Sequence, residues 1–168
     1  PPGTVKTSAY DGPTIKARTT IGSITVEGTG KIWETGIIAG ESINLVSAFR
    51  IGNDNLSRGY GSFIAAGDLV SRVQAVRGAG TIIIAGVVDL GSDGRAGGAG
   101  GDYDTIRSGN IGDVVFTGKT VNTRVIAGVS AASGGRYGNV NNFVGPGVSS
   151  IGSVSVGAGS KQVRAYAD

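Results

Sequence analysis

Ile21-Gly22-Ser23-Ile24-Thr25-Val26, followed by Ile37-Ile38-Ala39-Gly40, is the passage that decides the fold, because the chain repeats it. Clear copies of the first phrase are Ile111-Gly112-Asp113-Val114-Val115-Phe116 and Ile151-Gly152-Ser153-Val154-Ser155-Val156. Copies of the second are Ile64-Ala65-Ala66-Gly67, Ile83-Ile84-Ala85-Gly86 and Val125-Ile126-Ala127-Gly128. Taking the middle apolar residue as a marker, the first phrase falls at Val5, Ile24, Val46, Val73, Val114 and Val154. The second falls at Ile15, Ile37, Ile64, Ile83, Val125 and Val163, each followed two residues on by an alanine: Ala17, Ala39, Ala66, Ala85, Ala127 and Ala165. Apolar, variable, small-apolar alternation is the period-two pattern of a strand with one buried face. The same face recurs in each copy, so the copies stack.

The spacing says how. From a second-phrase marker to the next first-phrase marker is 9 residues in three cases (15 to 24, 37 to 46, 64 to 73), and 31 and 29 in two others. A short fixed step with occasional long excursions from one corner belongs to a solenoid. Coils of 19 and 22 residues (5 to 24 and 24 to 46) leave no room for a strand plus a full helix. They fit an all-β chain, a right-handed parallel β-helix (β-solenoid) of about six coils with two long Gly-rich loop excursions, each coil adding a rung about 4.8 Å above the last. The coils lie near 3–20, 21–42, 43–69, 70–110, 111–150 and 151–168, in a single domain spanning 1–168.

Composition supports this. Glycine makes up 32 of 168 residues and charged residues only 16%. Glycine disfavours helix and marks turns, and without a three-residue period it does not signal collagen. The net charge is +3, with basic residues scattered along the sequence and no basic stripe interleaved with aromatics, so no nucleic-acid partner is expected. No apolar run is long enough to span a membrane as a helix. The absence of Met implies that Pro1 is not a translation start and that the chain is a processed product or a segment of a longer one. The absence of Cys is compatible with secretion.

The Ile-Gly-x-Val-x-Val phrase, the downstream Ile-x-Ala-Gly and the Gly- and Asp-rich excursion resemble the β-solenoid repeats of large secreted bacterial surface and adhesin-like proteins. The resemblance covers nearly the whole chain. It implies a structural, adhesive or filament-forming module, extracellular or at the cell surface. In relatives the excursion after Ala-Gly often looks like an acidic calcium loop. Asp89, Asp93, Asp102 and Asp104 match that style, while the coil-five excursion has lost its acids and keeps Asn139, Asn141 and Asn142.

With neither His nor Cys, the chain has no Ser-His-Asp triad, no Cys nucleophile and no ordinary zinc site. Calcium takes six to eight oxygens from a loop that can wrap, so Asp89, Asp93, Asp102 and Asp104 are the metal candidates; otherwise they lie on a solvated loop. No other cofactor is expected. Glu41 and Asp68 each lie four residues past a second-phrase marker on adjacent coils. Stacking would bring them about 5 Å apart, near the spacing of a retaining glycosidase pair. A polysaccharide-binding or polysaccharide-cleaving β-helix is therefore the second reading, against a pair of solvated turn residues. Asn55-Leu56-Ser57 matches a glycosylation sequon. Arg72 and Asp113 share an outward position on adjacent coils, as mild cross-strand support.

The outward residues of the second phrase are Lys16, Ile38, Ala65, Ile84, Ile126 and Arg164. The apolar members Ile38, Ala65, Ile84 and Ile126 form a stripe that is either a contact surface or is covered by the excursions folding back. Ladder residues run close to both ends without a capping helix, which predicts head-to-tail self-association through unpaired end rungs, with lateral contacts through the stripe. Lys16 and Arg164 would repel in strict register, so an offset between subunits is expected.

Overall fold

The computed structural model describes residues 13–53, 61–90, 105–129 and 147–167. Among these residues every regular element is a β-strand. One ladder is β1 (Thr14–Ala17), β4 (Gly36–Ala39), β6 (Phe63–Ala66), β8 (Ile82–Ala85), β12 (Thr120–Ala127) and β14 (Lys161–Ala167), paired parallel in that order. A second is β2 (Thr20–Thr25), β5 (Ser42–Gly52), β7 (Leu69–Ala79), β11 (Asn110–Phe116) and β13 (Ser150–Val156), again all parallel. A third, shorter ladder links β3 (Lys31–Ile32), the far ends of β5 and β7, and the start of β12. Together they form one 12-stranded parallel sheet. Each segment pairs with the segment one repeat away rather than with its neighbour in sequence, an arrangement compatible with a β-solenoid.

The register is the one the repeats predict. Ile24, Val46, Val73, Val114 and Val154 are successive partners, as are Ile15, Ile37, Ile64, Ile83 and Val125. Ala17, Ala39, Ala66, Ala85 and Ala127 also align. Apart from Ile15, these β-branched and small residues meet in one core with Ile43, Ile51, Val70, Ile111 and Phe116, with Ala17, Ile24 and Val154 partly buried against it. Hydrophobic burial along the ladder axis is the main stabilising term, because no single repeat can bury its apolar face alone.

The last repeat departs from the sequence reading. Val125 pairs with Ala165 and Ala127 with Ala167, so the expected markers Val163 and Ala165 are each two residues early. Tyr166, not Arg164, continues the line of Lys16, Ile38, Ala65, Ile84 and Ile126; Arg164 pairs with Arg124 instead. A two-residue slip keeps every side chain on its own face, so alternation alone could not detect it.

Glycine sets how closely the corners stack. A methyl group on Gly67 would run into the carbonyl oxygen of Gly40 one rung away. Gly86 adopts φ +92°, where a side chain is strained, and the first excursion leaves the ladder there. That excursion leaves through β9 (Val87–Asp89) and returns through β10 (Thr105–Ile106) as an antiparallel pair.

Candidate functional site

The β9–β10 pair folds back onto the outward face of the β4–β6–β8–β12 ladder. It covers the stripe: Ile38 is 1% exposed and Ala65, Ile84 and Ile126 are 0% exposed. They form a second apolar cluster with Phe63, Val87, Leu90, Ile106 and Val129, against which Ile82 and Tyr166 pack. The four residues are therefore collinear as expected, but they do not present an exposed contact surface; of the two alternatives, the covering by the excursion holds. The signal lay in the excursion itself. Val87, Leu90 and Ile106 are large apolar residues in a stretch otherwise dominated by Gly and Asp.

The return strand also reaches the corner carrying Glu41 and Asp68. The two are stacked: the Asp68 N–H donates to the Glu41 carbonyl at 2.7 Å, and the Glu41 N–H donates to the Thr19 carbonyl at 2.8 Å. The Asp68 carboxylate is engaged by the Arg107 guanidinium. Arg107 Nε–H also donates to the Gly67 carbonyl at 3.2 Å, and the Arg107 backbone N–H to the Gly86 carbonyl at 2.7 Å. One residue from the excursion thus ties together the exit glycine, the corner glycine and Asp68. Both members of the ion pair are about half exposed, so it contributes on the order of 0–1 kcal/mol and acts chiefly to position the hairpin. Arg107 was not singled out from the sequence, because nothing local connects it to a residue 39 positions earlier.

Asp89 lies on β9, opposite Thr105. Asp93, Asp102 and Asp104 lie outside the described residues, as do Asn139, Asn141, Asn142, Val5 and the Asn55-Leu56-Ser57 sequon. Among the described residues no group of three or more His, Cys, Asp or Glu stands ready to hold a metal, and no helix is long and apolar enough to cross a membrane. Arg72 and Asp113 are register partners, and Asp113 accepts a hydrogen bond from Ser153 Oγ at 2.7 Å on the next rung. Gln74 Nε2 likewise donates to Ser47 Oγ at 3.1 Å. These are cross-strand polar contacts of the kind that support a sheet.

The surface that differs from the rest of the ladder is at its two ends. Ile37, Ile64, Ile83 and Val125 are 0% exposed, while their stacking partner Ile15 at one end is 44% exposed. At the other end Ala165 and Ala167 are exposed, although they sit in register with the fully buried Val125 and Ala127. The neighbouring Val156 is 38% exposed. Inward-facing residues are thus uncovered at β1 and β14 and covered between them. A β1 strand placed on β14 in the ladder's own register would set Ile15 on Ala165, Ala17 on Ala167, Thr14 on Arg164 and Lys16 on Tyr166. Comparison with protein-family models, with curated proteins and with solved structures gave no match for this chain.

Proposed function

We propose that the parallel sheet is a right-handed β-helix of about six coils and that the protein is a structural module of an extracellular or cell-surface fibre, assembling head to tail with copies of itself. The observation that carries this is the exposure of inward-facing Ile15 and Ala165 at opposite ends of a ladder whose middle members are fully buried. The edge of a sheet can template pairing with another chain. The contact joins two different surfaces and continues the ladder along its own axis, the heterologous arrangement that gives an open filament rather than a ring.

The corrected register favours this contact. Lys16 meets Tyr166 rather than Arg164, so the like-charge clash that called for an offset is absent and a cation–π contact takes its place. Subunits can then stack in strict continuation of the ladder.

The test uses one charge at each end. Ile15→Glu and Ala165→Glu place inward-pointing carboxylates on exposed terminal rungs, a device that blocks edge pairing. Wild type should sediment as a concentration-dependent series and show filaments by negative-stain microscopy. Each variant alone should remain monomeric, and an equimolar mixture of the two should give dimers, because each keeps one competent end. A wild type that stays monomeric at high concentration would overturn the proposal, as would a mixture that behaves like its separate components.

A further inference from the structure

One outward line of the β4–β6–β8–β12–β14 ladder changes character at its end. Its successive members are Gly36, Phe63, Ile82, Arg124 and Arg164, each in register with the next. Arg124 lies between Thr123 and Val125, both 0% exposed, so alternation along the strand turns its side chain outward. Arg164, its register partner, stands on the same face one strand spacing away, about 4.8 Å. The two-residue slip of the last repeat creates this pair; the repeat pattern alone set Arg164 in line with Ile126. Arg124 is half-buried, with the partly buried Ile82 on its other side, and Arg164 is exposed.

Like charges directly opposite on neighbouring strands are destabilising. Elsewhere on the sheet, outward polar partners answer each other: Gln74 donates to Ser47, and Ser153 donates to Asp113. Arg107 meets the carboxylate of Asp68. Arg124 and Arg164 differ, because among the described residues no carboxylate lies within ion-pair distance of either, and neither side chain donates a hydrogen bond. A local rule broken without a compensating contact points to function rather than folding. Each guanidinium carries five N–H donors in a rigid fork and no acceptor, so the pair offers a doubly charged, donor-only surface.

We propose that Arg124 and Arg164 together bind one phosphate group, either the free ion or a monoester on a sugar. The donor set selects the ligand class. A guanidinium fork takes two oxygens of an oxyanion. A carboxylate has two oxygens and one charge, which satisfies a single fork. A phosphate monoester has three free oxygens and a charge of about −1.5 to −2, which matches two forks in both number and charge. A single-stranded nucleic acid needs a longer basic groove and open aromatic faces for its bases, and this line has neither, since Phe63 is 3% exposed. Half-burial of Arg124 keeps part of the site away from screening by salt. The pair faces outward, so it does not use the inward-facing Ile15 and Ala165 that carry the assembly proposal.

The probes are inorganic phosphate and glucose 6-phosphate, titrated at low salt and followed by calorimetry, with glucose and glucuronate as comparisons. The titrations use the wild type and Ile15→Glu, whose change lies at the far end of the ladder and keeps assembly out of the reading. Both proteins should bind a phosphate saturably and leave glucose unbound. Arg124→Gln and Arg164→Gln should each weaken binding about tenfold or more with the circular dichroism unchanged. Arg124→Lys keeps the charge but loses the fork, and should recover only part of the affinity. Arg72→Gln, an equal charge change on a different ladder, should leave binding intact. Tighter binding of glucose 6-phosphate assigns the site to a phosphorylated sugar, and tighter binding of inorganic phosphate assigns it to the free ion. Absence of saturable binding of either overturns the site, and so does equal loss in Arg72→Gln. Glucuronate bound as tightly as glucose 6-phosphate overturns the phosphate assignment.

Discussion

Alanine two residues past each second-phrase marker is small for a geometric reason. Ala39, Ala66, Ala85 and Ala127 lie directly over one another and are all 0% exposed, beside the bulkier Ile and Val ladders. An interior packed at crystal-like density has no room for a larger side chain there. Ala85→Phe should therefore destabilise the fold by about 1–3 kcal/mol or more, read as a lower midpoint in urea. The corner glycines obey a backbone constraint instead. Gly67→Ala directs its methyl at the Gly40 carbonyl, a rigid neighbour, and a loss of about 1–3 kcal/mol should appear in the same titration. A Gly22→Ala control should cost far less, because nothing lies within 4 Å of a methyl group at that position.

At the scale of elements, the β9–β10 pair is a cover. It converts an outward apolar stripe into a second core and fastens its edge through Arg107. Ile84→Lys puts a charge among Ile38, Ile106 and Ile126, where no water reaches, and should unfold the protein or lower its stability by more than about 3 kcal/mol. Arg107→Ala removes only an exposed ion pair and one hydrogen bond to a carbonyl, about 1–2 kcal/mol in all. Its effect should be local: faster amide hydrogen exchange at 87–90 and 105–109, with the rungs Ile43–Val46 and Val70–Val73 unchanged. Uniform acceleration across the rungs would show that the hairpin is integral to the fold rather than a cover.

At the scale of the whole molecule, Ile15 and Ala165 are the exposed members of a line of partners that is otherwise fully buried among the described residues. Tyr166 illustrates the coupling of scales. It packs against the covered cluster, and in the proposed head-to-tail contact it would lie under Lys16 of the next copy. Tyr166→Ala should weaken assembly by a few-fold to about thirtyfold, the range of a cation–π contact, with the change read by analytical ultracentrifugation. Lys16→Gln should weaken it similarly, and the double variant should add little to either single change, because both remove one contact.

The sequence by itself determined the strand alternation, the parallel stacking and the register of five of the six second-phrase repeats. Each of those follows from where Ile, Val and Ala recur, and burial punishes any one-residue slip. It did not determine the register of the last repeat, because Val163, Ala165 and Ala167 are all acceptable on the inner face and a two-residue slip leaves the pattern unchanged. Nor could it show what covers Ile38, Ala65, Ile84 and Ile126, since the answer lies in how the excursion returns across a gap of many residues. Scattered basic residues gave no stripe along the chain. Tertiary structure paired two of them, because the slipped register of the last repeat sets Arg164 beside Arg124. Periodic apolar residues report the fold locally, whereas a surface pair depends on the register between repeats, which no single repeat encodes.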